Sequence, residues 1–244
     1  LGEDVDEVDR ILGDAVSNGA DLILTLGSNV TDLVVEKNPA VPVVYSLVMA
    51  SEYVGRVNCT GVVLEFSFEA HFDWMRRFLP KARKIGLLYT PENNGARITK
   101  AKRQAAKYGF VLEAEKVEKP QDIPVALERI GKKVDVLWGI PDDVVLNQKT
   151  AKQLLIFCYR NKIPFVGPSK AWVKAGALYA LDRDYADIGS QCAEMAAAIL
   201  MGEEISSIES QSPKRISYFV NKNTVRHMKL DINKQLLAKA DGVY

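Results

Sequence analysis

The sequence predicts an α/β protein with parallel sheets that are flanked by helices. Short apolar runs alternate with segments of helical period along most of the chain. The apolar runs are followed by turn residues, as buried parallel strands are, and residues 134–138 before Gly139-Ile140-Pro141 are the clearest case. The alternation occurs in two blocks, near 1–64 and 84–180, which indicates two lobes.

The apolar runs predict strands, in chain order, at residues 21–26, 41–46, 61–65, 84–89, 110–117, 134–138, 164–166, 177–180 and 216–220. Helical periods predict helices at about 3–18, 30–37, 67–79, 95–108, 122–130, 144–160, a short one ending at 174, 184–201, and two short helices after 220. Gly19 caps the first helix, and Ser28 or Asn29 is the natural N-cap of the second. Residues 90–94 are predicted to be a turn.

The composition is that of an ordinary globular protein, and its charges nearly balance. The 244 residues include 32 basic and 31 acidic side chains, a formal charge of +1. That balance gives no electrostatic reason to expect a nucleic acid or an anionic membrane as a partner. The three cysteines, Cys59, Cys158 and Cys192, are too scattered for a disulfide framework or a zinc site and are predicted to be buried thiols. The acidic first residues are not a signal peptide, so an exported protein would have this sequence as a mature or trimmed form.

No pattern in the chain predicts a reaction centre. The stretch Gly167-Pro168-Ser169-Lys170-Ala171 has alanine where a nucleophile elbow needs its last glycine, and only two histidines exist to complete a triad. Glycine-rich phosphate loops are absent from the sequence, and no histidines, cysteines or acids cluster at metal-ligand spacing. The sequence therefore predicts neither an enzyme nor a bound cofactor or metal.

Small polar side chains recur immediately after the predicted strands, where ligands bind in open α/β sheets. These residues are Ser28, Asn29, Ser46, Asn93, Asn94, Asp142, Asp143, Ser169, Asp182 and Asp184. Aromatic residues beside the same turns could stack on a ligand, and they are Phe66, Tyr89, Trp138, Trp172 and Tyr185. The alternative is that the polar residues only cap helices and that Trp138 only packs in the core. The sequence leaves both interpretations open.

A resemblance to a known family rests on stretches spread over nearly all of residues 3–244. They are NCTGV at 58–62, LPKARKIGLLY at 79–89, VDVLW at 134–138, VKAGAL at 173–178, DYADIG at 184–189 and VNKNT at 220–224. Taken together they resemble the substrate-binding proteins of ABC importers with a type I periplasmic-binding fold. The similar subgroup includes tryptophan-binding and other aromatic amino acid-binding members.

The resemblance implies a non-enzymatic protein whose two hinged lobes close on a small polar ligand and deliver it to ABC permease subunits. It favours an amino acid, preferably aromatic, and a periplasmic or extracellular location with a lipid anchor in the precursor. Lobe one would comprise residues 1–64 and about 183–212, and lobe two 65–182 and about 213–244. The implied ligand contacts are Ser28, Ser46, Phe66, Ser67, Asn93, Asn94, Asp142, Ser169 and Asp182.

Two departures from the family pattern qualify these expectations. Family members commonly have an Asp-Pro pair where this chain has Ala50-Ser51, so the ligand chemistry of lobe one is expected to differ. Family members also begin with a strand, a helix and a strand that would precede the helix at residue 3. Lobe one is therefore expected to have an unpaired sheet edge, and the protein to be a monomer unless that lobe pairs with another chain. A ligand-sensing domain of the same fold, signalling to a kinase or regulator, is the alternative function.

Overall fold

The structure is a computed structural model that describes residues 5–37, 40–49 and 58–244. The chain divides into two compact units. Unit 1 comprises Leu1–Phe66 and Arg183–Ile216, and unit 2 comprises Ser67–Asp182 and Ser217–Tyr244. The Ala50-Ser51 departure lies outside the described residues.

The helices are α1 Val5–Ser17, α2 Ser28–Glu36, α3 Phe68–Phe78, α4 Pro91–Lys107, α5 Ile123–Gly131, α6 Gln148–Asn161, α7 Lys170–Ala175, α8 Tyr185–Leu200, α9 Lys222–His227 and α10 Lys234–Ala238. The strands are β1 Ile23–Leu26, β2 Val43–Val48, β3 Cys59–Val63, β4 Lys84–Tyr89, β5 Val111–Lys116, β6 Val136–Trp138, β7 Phe165–Gly167, β8 Tyr179–Arg183, β9 Ile216–Val220 and β10 Gly242–Val243. Short 3-10 turns occur at Pro120–Asp122 and Ile205–Ser207.

Unit 1 is built on a parallel sheet with the order β1-β2-β3 in the described part of the chain. Alternation along β2 sends Val44 to the face covered by α8, where it packs with Ile188, and Val43 to the face covered by α1 and α2. Because α8 packs against β2 and β3, Leu24 and Leu26 on the edge strand β1 remain 54% and 57% exposed. The prediction that this strand is buried is wrong for those two residues.

Unit 2 contains a seven-stranded sheet with the order β10-β9-β8-β7-β6-β4-β5. The registered pairs β4–β5, β4–β6, β6–β7, β7–β8 and β9–β10 are all parallel. Its main core lies between this sheet and helices α5 and α6, and includes the fully buried Ile123, Leu127 and Phe165. The α/β prediction with parallel sheets flanked by helices is confirmed.

Several predicted element boundaries are wrong, and each difference has its own structural reason. Residues 91–94 are not a turn, since Pro91 is the first residue of α4, a position that suits the fixed φ of proline. Helix α6 begins at Gln148 instead of 144, because the preceding turn is held by Asp142. Strand β10 was not predicted, because it has only two residues.

Candidate functional site

Asp142 is the centre of a hydrogen-bond cluster at the carboxyl ends of β4 and β6. Its Oδ2 accepts from the Thr90 N–H at 2.7 Å and from Asn94 Nδ2 at 2.9 Å. Its Oδ1 accepts from the Thr90 hydroxyl at 2.6 Å and from the N–H groups of Val144 and Val145 at 3.2 and 3.1 Å. Five donors therefore surround a side chain that is 5% exposed.

The electrostatics of Asp142 follow from this arrangement. Burial on its own raises the pKa of the carboxyl group, but hydrogen bonds from Thr90, Val145 and Asn94 outweigh burial and hold the pKa below its ordinary value. Asp142 is thus an ionised carboxylate whose two oxygens are already occupied by protein donors. Its geometry suits holding the strand-end loops in place better than accepting a bond from a ligand ammonium group.

Asn94 belongs to the same cluster and was predicted in a turn, but it lies in the first turn of α4 and is 1% exposed. Its Nδ2 donates to both the Pro141 carbonyl, at 3.0 Å, and Asp142, while its Oδ1 accepts from Arg97 at 3.2 Å. Asn93, one residue earlier, is exposed on the same helix. Of the two asparagines, Asn93 is therefore the one with a solvent-exposed side chain.

Thr90 is a residue of this site that sequence reasoning missed. It occupies the N-cap position of α4, but its side chain does not cap the helix, because the hydroxyl donates to Asp142. A threonine immediately before a proline at the first helical position was the available signal.

Hydrogen bonds at the helix N-termini show which of the candidate residues cap a helix. Ser67 caps α3 by accepting from Ala70 N at 3.2 Å, and Asp184 caps α8 by accepting from Ala186 N at 3.0 Å. Helices α2, α4 and α7 have no side-chain cap, although Gly27, Thr90 and Ser169 stand at their N-cap positions. The capping interpretation therefore describes Ser67 and Asp184 but not Ser169.

Unit 1 places Ser28 just beyond β1, at the start of α2, whereas Ser46 is a buried residue inside β2, so the prediction that Ser46 follows its strand is wrong. Gly27 N donates to the Ser46 carbonyl at 2.9 Å, and Ser28 Oγ accepts from Met49 N at 3.4 Å. The prediction that Ser28 or Asn29 is the N-cap of α2 is wrong. Gly27 takes that position, with a φ of 91° that glycine adopts easily, and Ser28 and Asn29 are the first helical residues.

The remaining candidates in unit 2 lie in or directly after three different strands. Tyr89 is the buried last residue of β4, and Ser169 follows β7 directly before α7. Asp182 was predicted to follow a strand, but it is a half-buried residue inside β8, because that strand extends to Arg183.

The aromatic candidates occupy very different environments. Trp138 is 3% exposed and contacts the rings of Phe68, His71 and Phe72 at centroid distances of 6.1, 5.0 and 5.5 Å. These contacts are those of a core residue.

The other aromatic candidates are distributed between core and surface. Phe66 is buried in unit 1 with the Arg183 guanidinium 5.4 Å from its ring centroid. Trp172 is half-buried against Phe165, whereas Tyr185 is 60% exposed.

Comparison with known proteins identifies the family. The family described as ABC transporter substrate binding protein matches residues 3–244. A protein named Tyrosine-binding protein from Clostridioides difficile (strain R20291) is 21% identical over 233 residues, which cover 91% of this chain and 67% of that protein.

Solved structures share the fold. A ligand-free, open substrate-binding protein with adhesive properties from Clostridium difficile has a TM-score of 0.79 and 21% identity, covering 98% of this chain and 83% of its own. An ABC domain from Streptococcus pneumonia, solved in complex with L-Trp, has a TM-score of 0.65 and 20% identity, covering 99% and 84%.

The chain belongs to the family of ABC transporter substrate-binding proteins. Its neighbours in structure are type I periplasmic-binding-like proteins, as the resemblance implied. Proteins of this family bind small-molecule ligands, work with ABC permeases, are extracytoplasmic and are not enzymes. Within the described ranges, none of the helices has the length and apolar character to cross a membrane.

Proposed function

We propose that this protein is the extracytoplasmic solute-binding component of an ABC importer and that its ligand is an amino acid, with an aromatic one favoured. Ligand contacts are assigned to strand-end residues of both units, and the two lobes close on the ligand by hinge bending. Delivery to ABC permease subunits, a periplasmic or extracellular location and a lipid-anchored precursor are part of the same proposal.

The observation that carries the proposal is the set of uncapped helix N-termini after strands. Helices α2 and α4 begin directly beyond β1 and β4 without a side-chain cap. The first-turn N–H groups of a helix and its dipole favour an anion, and a ligand carboxylate is such an anion. Ser28 and Asn93, in the first turns of these two helices, would add hydrogen bonds beside the carboxylate.

The ligand ammonium group needs a different partner, and Asp142 is a poor one because both of its oxygens are occupied. We assign this role to Asp182, a half-buried carboxylate of β8 in the same sheet. Asp142 then acts as a positioning residue, because it fixes Thr90 and the start of α4. Tyr89 and Phe66 are the aromatic side chains that would pack against the ligand.

The names of the relatives support the choice of ligand class. One relative is named for tyrosine and one neighbour was solved with L-Trp, and both ligands combine a carboxylate, an ammonium group and an aromatic ring. The proposed contacts supply a partner for each of these three groups.

A thermal-shift screen of the purified protein against amino acids, small peptides, nucleosides and sugars tests the proposal. A ligand at 100 times its dissociation constant adds about 2.7 kcal/mol to the free energy of unfolding, which gives a clear rise in melting temperature. We expect aromatic amino acids to give the largest rise. A rise only with sugars or nucleosides, or no rise with any amino acid, would refute the ligand assignment.

Two serine variants show whether the strand-end residues bind ligand. Ser169→Ala removes a hydroxyl that caps no helix, so we expect the same melting temperature without ligand and an affinity about fivefold to tenfold weaker, the loss of one hydrogen bond. Ser67→Ala is the matched control, because it removes a real cap and should lower the free energy of unfolding by about 1 kcal/mol. Unchanged affinity of Ser169→Ala would remove Ser169 from the site.

A further inference from the structure

Unit 2 has a cavity at the opposite edge of its sheet from the candidate site, beside the amino ends of β4, β6 and β7. Its volume is about 330 Å³, which is in the range of small-molecule pockets. Apolar side chains form much of its lining, and they are Phe78, Leu79, Ala82, Pro164 and Leu230. The exposed residues that line it include three lysines, Lys81, Lys162 and Lys229.

Two of these lysines have an unusual backbone conformation. Lys162 and Lys229 have φ values of 54° and 52°, in the left-handed region. Each ends a helix with the same two backbone hydrogen bonds. The N–H of the lysine donates to the carbonyl of the residue three positions earlier. The N–H of the following residue donates to a carbonyl five positions earlier, as in Ile163 N to Cys158 O and Leu230 N to Val225 O. This is the Schellman arrangement, in which glycine is the usual residue at the left-handed position.

The same arrangement ends four other helices of the described chain, and all four use glycine. These residues are Gly19, Gly109, Gly176 and Gly202, with positive φ values and the same pair of backbone hydrogen bonds. A lysine at this position is less stable than glycine, because its Cβ crowds the backbone. Helix termination therefore does not explain Lys162 and Lys229. What these two residues share is the cavity that both line.

The charges around the cavity favour an anion. Among the described residues, no carboxylate lies within ion-pair distance of Lys81, Lys162 or Lys229. Two carboxylates also line the cavity, Asp135 and Asp231.

Asp135 is the carboxylate that backbone hydrogen bonds fix in place. Its Oδ2 accepts from the N–H groups of Arg83 and Lys84 at 2.7 and 2.8 Å. Two carbonyls near the end of α6 are also paired, since Phe157 O accepts from Asn161 Nδ2 and Cys158 O accepts from Ile163 N. The lining therefore has three lysines against the two carboxylates of Asp135 and Asp231, an excess of one positive charge.

We propose that this cavity is a second ligand site, for a small organic monocarboxylate with an apolar body. The apolar body lies against Leu79, Pro164 and Leu230, and the carboxylate is bound by Lys162 and Lys229, with Lys81 beside them. The site belongs to unit 2 alone and is separate from the strand-end residues assigned to the transported ligand.

Hexanoate is a suitable probe, because it has a carboxylate and an unbranched apolar chain. The experiment is a titration of the ¹⁵N-labelled full chain, followed through its amide resonances, with 1-hexanol and hexylamine as probes that lack the negative charge. We expect hexanoate to shift the amides of Lys81, Ala82, Lys162 and Leu230 in a saturable way. We expect 1-hexanol to bind more weakly and hexylamine not at all.

The double variant Lys162→Gly/Lys229→Gly separates binding from folding. Glycine suits both positions, so the melting temperature should be unchanged or higher, while hexanoate binding weakens by about tenfold. Lys100→Ala/Lys107→Ala removes two exposed lysines of α4 and serves as the control with the same net charge. Equal hexanoate affinity of the double variant and this control would overturn the proposal, and so would a lower melting temperature of the double variant.

Discussion

Replacing Asp142 by alanine is the most informative perturbation of the strand-end cluster. The carboxylate joins β4, α4 and the loop after β6, and its partner Thr90 is 52 residues away in sequence. The substitution removes the acceptor of five donors at once. If the cluster holds these three segments together, the variant should lose much of the stability of unit 2.

The size of the loss follows from the donors that are left without a partner. The Thr90 N–H, the Asn94 amide and the Val145 N–H are all buried, and a buried donor without an acceptor costs about 1–3 kcal/mol. Water entering the vacated space recovers part of that cost, so we expect a loss of about 3–5 kcal/mol for Asp142→Ala. Asp142→Asn keeps one acceptor oxygen but places an NH₂ group against the donors that bonded the other oxygen. Its free energy of unfolding should fall by about 2 kcal/mol.

Urea unfolding followed by tryptophan fluorescence is the appropriate assay. All three tryptophans, Trp74, Trp138 and Trp172, lie in unit 2, so the signal reports on the unit that contains Asp142. Asp143→Ala is the control, because Asp143 is the exposed neighbour and should change the free energy of unfolding by less than about 0.5 kcal/mol. The reasoning is refuted if Asp142→Ala unfolds like the Asp143 control.

The pH dependence gives a second test of the same cluster. Because the pKa of Asp142 is lowered in the folded state, its contribution to stability is fully present above the unfolded pKa of about 3.9. That contribution is lost as the pH falls through the lower, folded pKa. The difference in free energy of unfolding between the wild type and Asp142→Asn should therefore be constant near neutral pH and should shrink below about pH 4. A difference that grows with acid would contradict the lowered pKa.

One further substitution and one chemical treatment test the core of unit 2. Trp138→Leu should lower the free energy of unfolding by about 2–3 kcal/mol while leaving ligand affinity unchanged, because Trp138 is enclosed by Phe68 and Phe72. Isothermal calorimetry with the ligand found by screening measures the affinity. A loss of affinity without destabilisation would place Trp138 in the ligand site. Burial raises the pKa of the Cys158 thiol to about 12, so it should stay protonated and resist iodoacetamide at pH 8 until the protein unfolds. Rapid alkylation of Cys158 in the native protein, measured by mass spectrometry, would show that the thiol is not enclosed.

The sequence by itself determined the fold class and several complete elements. Strands Lys84–Tyr89 and Ile216–Val220 have the bounds that their apolar runs predicted, because a short buried run flanked by polar residues is a local signal. The burial of Cys59, Cys158 and Cys192 was also predicted correctly. Such features depend on neighbours in the chain, so the sequence contains the information needed to predict them.

Only the tertiary structure decided the roles of the polar strand-end residues. From sequence, Asp142, Asn93 and Ser169 were equivalent, since each is a small polar residue after a strand. The structure separates them, because donors from Thr90 and Asn94 occupy Asp142, while Asn93 is exposed and Ser169 caps no helix. These partners are distant in sequence, and a local pattern does not specify which distant donor reaches which acceptor.

The lysines at the second cavity show the same division. Sequence rules look for glycine at the end of a helix, and Gly19, Gly109, Gly176 and Gly202 fit that rule. Lys162 and Lys229 do not fit it, and nothing in their local sequence shows that they adopt the left-handed conformation or line one cavity. Local propensity fixes where helices and strands form, whereas the meeting of distant segments fixes which side chains share a site, because that depends on packing and hydrogen bonding in three dimensions.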